Sequence, residues 1–306
     1  MKVAACRYAV GKPADFAAFA ARIEALLAQA KAQGARLAVL PEYLALELAA
    51  VFPLPVHADL HASLAALQAL RGDWVALFAS LARRLGLHVV AGSFLLETAP
   101  GRYRNRSDLF TADGAHLWQD KLQLTGFERQ ARVIEPGDAL HVMVLDGVRV
   151  GIAVCYDSEF PLPVRAQREA GMQLLLVPSC TDTDAGATRV RVGCLARALE
   201  NRIYVAQAVT AGRADWSPAL DVNTGRAALL APMDAGLPAD GVLAQTADGA
   251  DAQAGDADTE AWALATLDFA RLEATRAQAQ VANDRDWPGQ WQPRLRRARL
   301  QQAPGA

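Results

Sequence analysis

Short, uninterrupted runs of apolar residues alternate along this chain with Ala- and Leu-rich helical segments. The run at 37–40 is typical, because four apolar residues stop abruptly at Pro41. Strands that are apolar on both faces must be covered on both sides, by helices or by a second sheet. The pattern therefore predicts a layered α/β protein whose strands are buried between other layers.

Hydrophobic periodicity and turn residues predict the order of the elements. Strands are predicted at 3–10, 37–40, 88–94, 174–177, 203–208, 227–230, 241–245 and 261–267. Helices are predicted at 13–33, 60–85, 162–170 and 188–199, with a last helix that ends at about residue 281. Gly72 is a candidate break in the second helix, and Asp113-Gly114 and Asp146-Gly147 predict two β-hairpins, at 103–119 and 140–154.

No stretch of the chain resembles a long interdomain linker, so residues 1–280 are predicted to form one domain. The acidic, Gly- and Ala-rich segment 248–260 is predicted to be a mobile loop between paired strands. Residues 281–306 carry Trp287, Trp291 and several arginines, and we expect an arm that packs on the body or on a neighbouring subunit. The near-neutral overall charge argues against an arm for nucleic acid.

The charge balance excludes several classes of partner. With 31 basic and 33 acidic residues the net charge is −2, so strong charge-driven binding to nucleic acid or to acidic membranes is not expected. No apolar run approaches the roughly 18 residues that span a bilayer.

The four cysteines show no CxxC spacing and no signal peptide is evident, which predicts reduced thiols in a cytoplasmic protein. His57 and His61 share a helical spacing but lack a third ligand, so no metal site is predicted.

Lysine is rare in this chain, since only four of the 31 basic residues are lysines: Lys2, Lys12, Lys31 and Lys121. Lys121 is the only lysine after residue 31, in a stretch that otherwise uses arginine. An ammonium is a compact point charge, whereas a guanidinium is a broad planar group. The retained lysine therefore marks a place where a small cation is required, or it reflects codon preference alone.

Glu42, Lys121 and Cys155 each come directly after, or at the end of, a predicted strand. Since ligands bind beyond the carboxyl ends of strands in α/β sheets, these three residues are expected to converge on one cleft. Together they supply a general base, a cation that stabilises an oxyanion, and a nucleophilic thiol. Glu128 offers a second carboxylate a few residues after Lys121.

Each of these residues also has an ordinary explanation. A glutamate or a lysine after a strand is commonly a solvated loop residue, and a single cysteine at a strand end is commonly a small buried apolar group. The absence of a histidine near Cys155 argues against a cysteine–histidine protease.

Pro41-Glu42, Lys121 and the segment Gly151-Ile152-Ala153-Val154-Cys155-Tyr156-Asp157 resemble the three signature motifs of the nitrilase superfamily of carbon–nitrogen hydrolases. The resemblance continues to about residue 270, through Phe160-Pro161, Arg165, Leu176-Val177-Pro178-Ser179 and Arg197-Ala198-Leu199-Glu200-Asn201. It implies an α/β fold of the four-layer αββα sandwich type.

The resemblance implies that Cys155 is the nucleophile, Glu42 the general base and Lys121 the group that stabilises the tetrahedral intermediate. Glu128 would help to position Lys121 and the substrate, and the backbone N–H of Tyr156 would be a second oxyanion donor. The reaction implied needs no metal or organic cofactor: the thiol attacks an amide, ammonia or an amine leaves, and water releases the acid from the thioester. Members of the superfamily also tend to form dimers through the helices around the nucleophile.

The Tyr-Asp pair after the nucleophile resembles the amidase, carbamoylase and omega-amidase branches more than the nitrilases. Two segments, 178–183 and 216–223, depart from the commoner pattern and resemble a poorly characterised bacterial branch that is also found fused to acetyltransferases. Both are expected near the mouth of the pocket, where Cys180 and Asp182 either line the pocket or belong to an ordinary turn.

The sequence predicts an amidase that hydrolyses a small linear amide to a carboxylic acid and ammonia, as a homodimer or a larger homo-oligomer. An N-carbamoyl-amide hydrolase or a nitrilase is the alternative within the superfamily. A catalytically silent binding protein on the same fold is an alternative from another class, although Glu42, Lys121 and Cys155 are all retained. A cysteine-dependent acyltransferase would share these residues, but nothing in the sequence indicates the membrane or large acyl donor that it needs.

Overall fold

The computed structural model describes residues 1–247, 261–279, 281–292, 297–298 and 300. The strands in these ranges are β1 (Lys2–Ala9), β2 (Leu37–Val39), β3 (His88–Ala99), β4 (Arg102–Phe110), β5 (His116–Asp120), β6 (Ile134–Glu135), β7 (Val142–Leu145), β8 (Val148–Ile152), β9 (Leu174–Ser179), β10 (Tyr204–Arg213), β11 (Val222–Asn223), β12 (Ala228–Leu230), β13 (Val242–Gln245) and β14 (Ala261–Thr266). The helices are α1 (Phe16–Ala32), α2 (Leu54–His57), α3 (Leu60–Leu67), α4 (Arg71–Leu85), α5 (Gly126–Ala131), α6 (Pro161–Glu169), α7 (Asp184–Asn201), α8 (Phe269–Gln278) and α9 (Asn283–Asp286). Short 3₁₀ helices lie at Leu44–Val51, Gln68–Leu70, Cys155–Glu159 and Trp287–Trp291.

Most of the strands join in one hydrogen-bonded path, in the order β5-β4-β3-β2-β1-β10-β9-β8-β7. The sheet divides at β1, which pairs antiparallel with β14 over residues 2–7 and parallel with β10 over residues 7–9. On the other side of this junction β10 also pairs with β12, and β12 pairs with β13. The path therefore folds into two halves, β5-β4-β3-β2-β1-β14 and β7-β8-β9-β10-β12-β13, which are joined where β1 meets β10.

Alternate residues of β1 belong to two different cores. Val3 and Ala5 lie in a core that they share with the strands of the other half-sheet and with α7. Ala4 and Cys6 lie in a second core, which includes the buried faces of α1, α3 and α4. The order of layers is therefore helices, sheet, sheet and helices, which confirms the predicted αββα sandwich.

Most predicted elements are confirmed to within about five residues, including both hairpins, but two predictions are wrong. The break in the predicted helix over 60–85 is the 3₁₀ turn Gln68–Leu70, whereas Gly72 lies inside the first turn of α4. Segment 248–260 lies outside the described residues, and the strands that flank it, β13 and β14, pair with β12 and β1 rather than with each other. Helix α5 and the 3₁₀ helix Leu44–Val51 have no counterpart among the predicted elements.

The first part of the predicted C-terminal arm packs on the body. Asp284 in α9 forms ion pairs at 3.3 Å with Arg168 and with Arg276, and the guanidinium of Arg165 lies 4.9 Å from the ring centre of Trp287. Most of the later arm lies outside the described residues, and the boundary at residue 280 stays a prediction.

In the ranges that the structure describes, no helix is both long enough and apolar enough to cross a membrane.

Trp74 of α4 packs in the second core, and its side chain is fully buried. Its ring packs on Phe19 and Phe78, with centroid distances of 6.0 and 4.7 Å, and its Nε1 donates a 3.1 Å hydrogen bond to the carboxylate of Asp108. We expect Trp74→Ala to lower the free energy of unfolding by about 3–5 kcal/mol, because it leaves a large cavity. Urea titration followed by circular dichroism measures the change.

The matched control is Trp291→Ala, since the Trp291 side chain is 53% exposed. That substitution should change the free energy of unfolding by no more than about 0.5 kcal/mol. Equal effects of the two substitutions would contradict the packing described here.

Candidate active site

A turn after β2 carries Glu42 into the space between the strand ends. Tyr43 has a left-handed backbone conformation, with φ of 61°, and its N–H donates a 2.8 Å hydrogen bond to the side-chain oxygen of Ser93. The turn also lies against Gly92, where a Cβ would come within 2.0 Å of the carbonyl oxygen of Pro41. The close approach of β3 therefore fixes the turn, and Glu42 is buried.

Lys121 follows directly after β5, and its backbone N–H donates to the carbonyl oxygen of Asn105 in β4 at 2.9 Å. Its Nζ lies 2.8 Å from Oε1 of Glu42 and 2.8 Å from Oε2 of Glu128. None of these three side chains is more than 1% exposed. A buried ammonium requires such partners, because an unpaired charge away from water costs several kcal/mol.

Glu128 is held by several groups besides Lys121. It belongs to a capping box at the start of α5, in which the N–H of Thr125 donates to Oε2 of Glu128 at 2.8 Å. The hydroxyl of Tyr43 donates to Oε1 at 2.8 Å. The side-chain amide of Asn105 donates to both carboxylates, at 2.8 Å to Glu42 and 3.2 Å to Glu128. These bonds fix both carboxylates relative to the ammonium.

Cys155 begins a 3₁₀ helix shortly after β8 and has a φ of 50°. A left-handed conformation is strained for a residue other than glycine, and such strain is typical of functional sites. The Sγ of Cys155 lies 3.6 Å from the carbonyl oxygen of Cys180, and the N–H of Cys180 donates to Oε2 of Glu42 at 3.1 Å. The main chain of Cys180 therefore contacts both the thiol and the carboxylate.

Helix α7 supports the Cys155 turn from behind. It approaches at Gly193, where a Cβ would lie 2.9 Å from the carbonyl oxygen of Ser158. Arg197 donates to the same oxygen at 3.2 Å, and the Ser158 hydroxyl donates to the carbonyl oxygen of Cys155 at 2.7 Å. The strained turn is thus held by its own hydrogen bond and by close helix packing.

Asp157 joins the Cys155 turn to the segment after Lys121. Its carboxylate accepts hydrogen bonds from the backbone N–H groups of Leu122, Gln123 and Val154, at 3.1, 2.7 and 3.1 Å. Burial raises the pKa of this carboxyl to about 7, although Lys121 and the three N–H donors oppose the rise. Asp157 thereby sets the distance between the thiol and the ammonium.

Burial and charge shift the pKa of every group at the centre of the site. Burial raises the pKa of Glu42, and the ammonium of Lys121 only partly opposes this. Burial and the negative charge of Glu42 raise the pKa of the Cys155 thiol well above its usual value. Burial favours the neutral forms of Lys121 and Glu128, but their charged partners outweigh it. The carboxylates of Glu42 and Glu128 hold the pKa of Lys121 well above its usual range. The ammonium of Lys121 in turn lowers the pKa of Glu128. The Lys121–Glu128 pair is therefore ionised, and the resting thiol is neutral.

These groups open onto a cavity of about 280 Å³. Glu42, Lys121 and Cys155 line it, whereas Glu128 lies behind Lys121 and is fully buried. The other lining residues are Tyr43, Thr125, Phe127, Tyr156, Glu159, Cys180, Thr181, Asp182, Gly186, Arg189, Val190, Pro218, Ala219, Asp221 and Val222. A thiol, a carboxylate and an ammonium that share one small cavity can carry out acyl transfer on a small molecule.

The structure brings together the four predicted catalytic residues Glu42, Lys121, Glu128 and Cys155. Cys180 and Asp182 line the cavity, which is one of the two roles considered for them, and Tyr156 lines it as well. Segments 178–183 and 216–223 both contribute to the lining, as expected. The predicted role of the Tyr156 N–H stays a prediction.

Sequence reasoning missed Tyr43, Asn105 and Thr125. The Thr125-x-x-Glu128 spacing of a capping box was a readable signal, whereas nothing in the sequence distinguishes Asn105 from other polar strand residues.

His57 and His61 lie away from the cavity and contact the carbonyl oxygens of Phe52 and Ala131, each at 2.9 Å. Across the described part of the chain, no group of three or more His, Cys, Asp or Glu side chains is placed to hold a metal ion.

Gly92 provides a test of how β3 positions Glu42. We expect Gly92→Ala to lower the free energy of unfolding by more than about 1 kcal/mol and to reduce catalytic activity, because its φ of 70° and the nearby Pro41 carbonyl leave no room for a methyl group. Gly72→Ala is the matched control, since nothing lies within 4 Å of a Cβ at that position. Thermal unfolding would contradict this account if Gly92→Ala were as stable as Gly72→Ala.

Comparison with known proteins identifies the family of the chain. The family model described as carbon–nitrogen hydrolase matches residues 2–277. The chain is 33% identical over 174 residues to the probable hydrolase YhcX of Bacillus subtilis (strain 168), covering 57% of this chain and 34% of that protein. It is 28% identical over 145 residues to omega-amidase NIT2-B of Xenopus laevis, covering 45% and 52%. The chain thus spans a third to a half of the length of these relatives.

Solved structures give the same fold. An amidase from Nesterenkonia sp. AN1 is 25% identical, with a TM-score of 0.67, covering 94% of this chain and 99% of that chain. Nit3 of Saccharomyces cerevisiae, a member of branch 10 of the nitrilase superfamily, is 20% identical, with a TM-score of 0.70, covering 93% and 96%. Because the family model matches nearly the whole chain, and the fold and the clustered motifs agree with it, this protein belongs to the carbon–nitrogen hydrolases of the nitrilase superfamily.

Proposed function

We propose that this protein is a cysteine-dependent amidase that converts a small linear amide to a carboxylic acid and ammonia. One observation carries the proposal. The buried carboxylate of Glu42 contacts the ammonium of Lys121 through Oε1 and the main chain beside the Cys155 thiol through Oε2. Attack on an amide carbonyl requires a nucleophile, a base that takes the proton of the nucleophile, and a cation that stabilises the oxyanion. Cys155, Glu42 and Lys121 supply these three groups side by side.

In the first half-reaction Glu42 takes the proton of the Cys155 thiol as Sγ attacks the amide carbon. The raised pKa of Glu42 makes it a stronger base than an exposed glutamate, and the neutral resting thiol needs such a base. The new C–S bond places a negative charge on the former carbonyl oxygen, which Lys121 stabilises. Glu42 then gives its proton to the nitrogen, the C–N bond breaks and ammonia leaves a thioester on Cys155.

In the second half-reaction a water molecule attacks the thioester. Glu42 takes a proton from this water, Lys121 again stabilises the oxyanion, and the C–S bond breaks to release the acid. The proton returns from Glu42 to the sulfur, which restores the resting thiol. Glu128 does not touch the substrate in this scheme; it keeps Lys121 charged and in place through the 2.8 Å ion pair.

Relatives support the amide substrate. A glutamate-to-glutamine mutant of the Nesterenkonia amidase, 25% identical with a TM-score of 0.66, shows covalent addition of the acetamide moiety of fluoroacetamide at the active site cysteine. An (R)-stereoselective amidase from a Pseudomonas species is 32% identical over 133 residues, covering 44% of this chain and 47% of that protein. A silent binding protein would have no use for a buried ammonium held between two carboxylates, a costly arrangement without a reaction to serve.

The oligomeric state and the location are part of the proposal. Leu162 of α6 and Val192 of α7 are 60% and 58% exposed, and both helices adjoin the Cys155 turn. We propose a homodimer that covers these side chains, as the dimers of the superfamily are expected to form through the helices around the nucleophile. The free cysteines support a reducing compartment such as the cytoplasm.

Ammonia release over a panel of amides, nitriles and N-carbamoyl compounds tests the reaction. We expect turnover of small linear amides, and a loss of at least about 1,000-fold in Cys155→Ala, because the acyl-enzyme cannot form. Cys6→Ala is the matched control, since Cys6 is a buried thiol of β1 that lies in the second core, outside the cavity, and the variant should retain activity. Activity in Cys155→Ala would contradict the proposed mechanism. Turnover of nitriles alone, or of N-carbamoyl compounds alone, would contradict the amidase assignment and support the corresponding alternative.

Lys121→Arg tests whether the site needs a compact cation. We expect kcat to fall by at least about 100-fold, because a guanidinium cannot place one point charge between Glu42 and Glu128 at 2.8 Å without displacing them. Lys31→Arg is the control, since that lysine lies on α1 away from the cavity. Steady-state kinetics measure the effect. An unchanged kcat in Lys121→Arg would contradict the role of Lys121 as a compact cation and would show that the rarity of lysine is only a codon preference.

A further inference from the structure

Asn105 of β4 is fully buried and contacts all three members of the charged network. Its backbone carbonyl oxygen accepts the 2.9 Å hydrogen bond of the Lys121 N–H. Its side-chain Nδ2 lies 2.8 Å from Oε1 of Glu42 and 3.2 Å from Oε1 of Glu128, so the amide offers one N–H to each carboxylate. The opposite orientation of this amide would place its oxygen against two carboxylate oxygens, which repel it. The two carboxylates therefore determine how the Asn105 side chain is turned.

The other atom of this amide has no partner. Oδ1 of Asn105 is buried and accepts no hydrogen bond from the residues that the structure describes. Leaving a buried acceptor unpaired is destabilising, and such atoms are rare in native proteins. The fold therefore tolerates an unpaired carbonyl oxygen at Asn105 in order to place its two N–H groups against the carboxylates, which points to a role in the reaction.

The two oxygens of Glu42 have different surroundings. Oε1 accepts hydrogen bonds from the ammonium of Lys121 and from the amide of Asn105, each at 2.8 Å. Oε2 accepts the N–H of Cys180 at 3.1 Å, and the carbonyl oxygen of the same residue lies 3.6 Å from Sγ of Cys155. Oε1 is thus occupied by two donors, whereas Oε2 lies on the side of the thiol.

The two oxygens of Glu128 are both occupied by groups other than the thiol. Oε1 accepts from the hydroxyl of Tyr43 at 2.8 Å and from Asn105, and Oε2 accepts from Lys121 and from the N–H of Thr125, each at 2.8 Å. These donors keep Glu128 ionised. Glu42 is therefore the carboxylate of the pair that is placed to exchange a proton with Cys155.

We propose that Asn105 is a positioning residue for the base: it holds Oε1 of Glu42 on the Lys121 side, which leaves Oε2 to accept the proton of the Cys155 thiol. This inference rests on the proposed role of Glu42 as general base and adds the residue that orients it. When Cys155 attacks, the proton passes from Sγ to Oε2, and the electron pair of the S–H bond stays on the sulfur as it bonds to the amide carbon. Asn105 is not among the described residues that line the cavity, so it acts through Glu42.

The rate at which iodoacetamide alkylates Cys155 tests this role without any turnover. Alkylation needs the ionised form of Glu42 to take the thiol proton, so the rate falls on the acid side as Glu42 becomes protonated. Removing the Asn105 N–H removes a donor that favours the ionised form, which raises the pKa of Glu42. We expect Asn105→Ala to move the acid limb of the rate–pH profile up by about one pH unit and to slow alkylation above that limb by about 10-fold.

Peptide mass spectrometry separates the labelling of Cys155 from that of Cys180, which shares the cavity. No variant used here changes a titratable group that faces Glu42, and these groups are Tyr43, Lys121, Glu128, Cys155 and Cys180.

Asn105→Asp separates hydrogen-bond donation from space filling, because it keeps the shape of the side chain but places a third carboxylate beside Glu42. We expect it to move the acid limb further up than Asn105→Ala does. Ser107→Ala is the matched control: Ser107 also lies in β4, is equally buried, and its hydroxyl has no hydrogen-bond partner in the described part of the chain. Circular dichroism checks the fold of each variant, and Asn105→Ser, which keeps a shorter donor, should give a smaller shift if Asn105→Ala does not fold.

An unchanged acid limb in the folded Asn105 variants would overturn this inference even if alkylation became slower, because Asn105 would then only fill space. Turnover of butanamide by the unchanged protein, measured as ammonia release, would leave the amidase function standing in that case. A shifted limb in a protein that turns over no amide would support the role of Asn105 and overturn the amidase function. An unchanged limb without turnover would overturn both.

Discussion

The buried ion pair network of Glu42, Lys121 and Glu128 is the interaction on which the rest of this site depends. One ammonium lies 2.8 Å from each of two carboxylates, and none of the three side chains is more than 1% exposed. Charges removed from water are stable only when their partners are close and their remaining hydrogen-bonding capacity is used. Asn105, Tyr43 and the main chain of Thr125 and Cys180 supply those bonds, so their positions are as constrained as those of the charged residues.

The scaffold meets this constraint by bringing several strand ends together. Glu42, Lys121 and Cys155 each follow a strand. Close approach of β3 holds the turn at Glu42, a backbone hydrogen bond to β4 holds Lys121, and helix α7 holds the turn at Cys155. Tyr43 and Cys155 have left-handed backbone conformations, and each turn is packed against a glycine, Gly92 or Gly193. Strain of this kind persists only where the surrounding structure holds it, and here strand β3 and helix α7 do so.

The sequence predicted the layered α/β class, most of the elements and the four central residues, because these are local signals. Continuous apolar runs mark strands buried on both faces, and chemically unusual residues at their ends mark a cleft. The errors are also physical. The helix over 60–85 is interrupted at Gln68–Leu70, which carries no glycine or proline, whereas Gly72 is accommodated in the first turn of α4, where a missing side chain costs little. Helix α5 escaped notice because six residues are too few for a clear helical period.

The sequence by itself determined which chemical groups the site can use: the Cys155 thiol, the isolated Lys121 and the carboxylates of Glu42 and Glu128, in a fixed order along an α/β chain. The tertiary structure alone decided that Glu42 and Glu128 share one ammonium, that Asn105 bridges them, and that the main chain of Cys180 contacts both Glu42 and the Cys155 thiol. These relations join residues far apart in the chain, and they depend on strand register and on the junction of the two half-sheets. A local pattern reports what a segment prefers, whereas a distance between segments exists only after the sheets have packed.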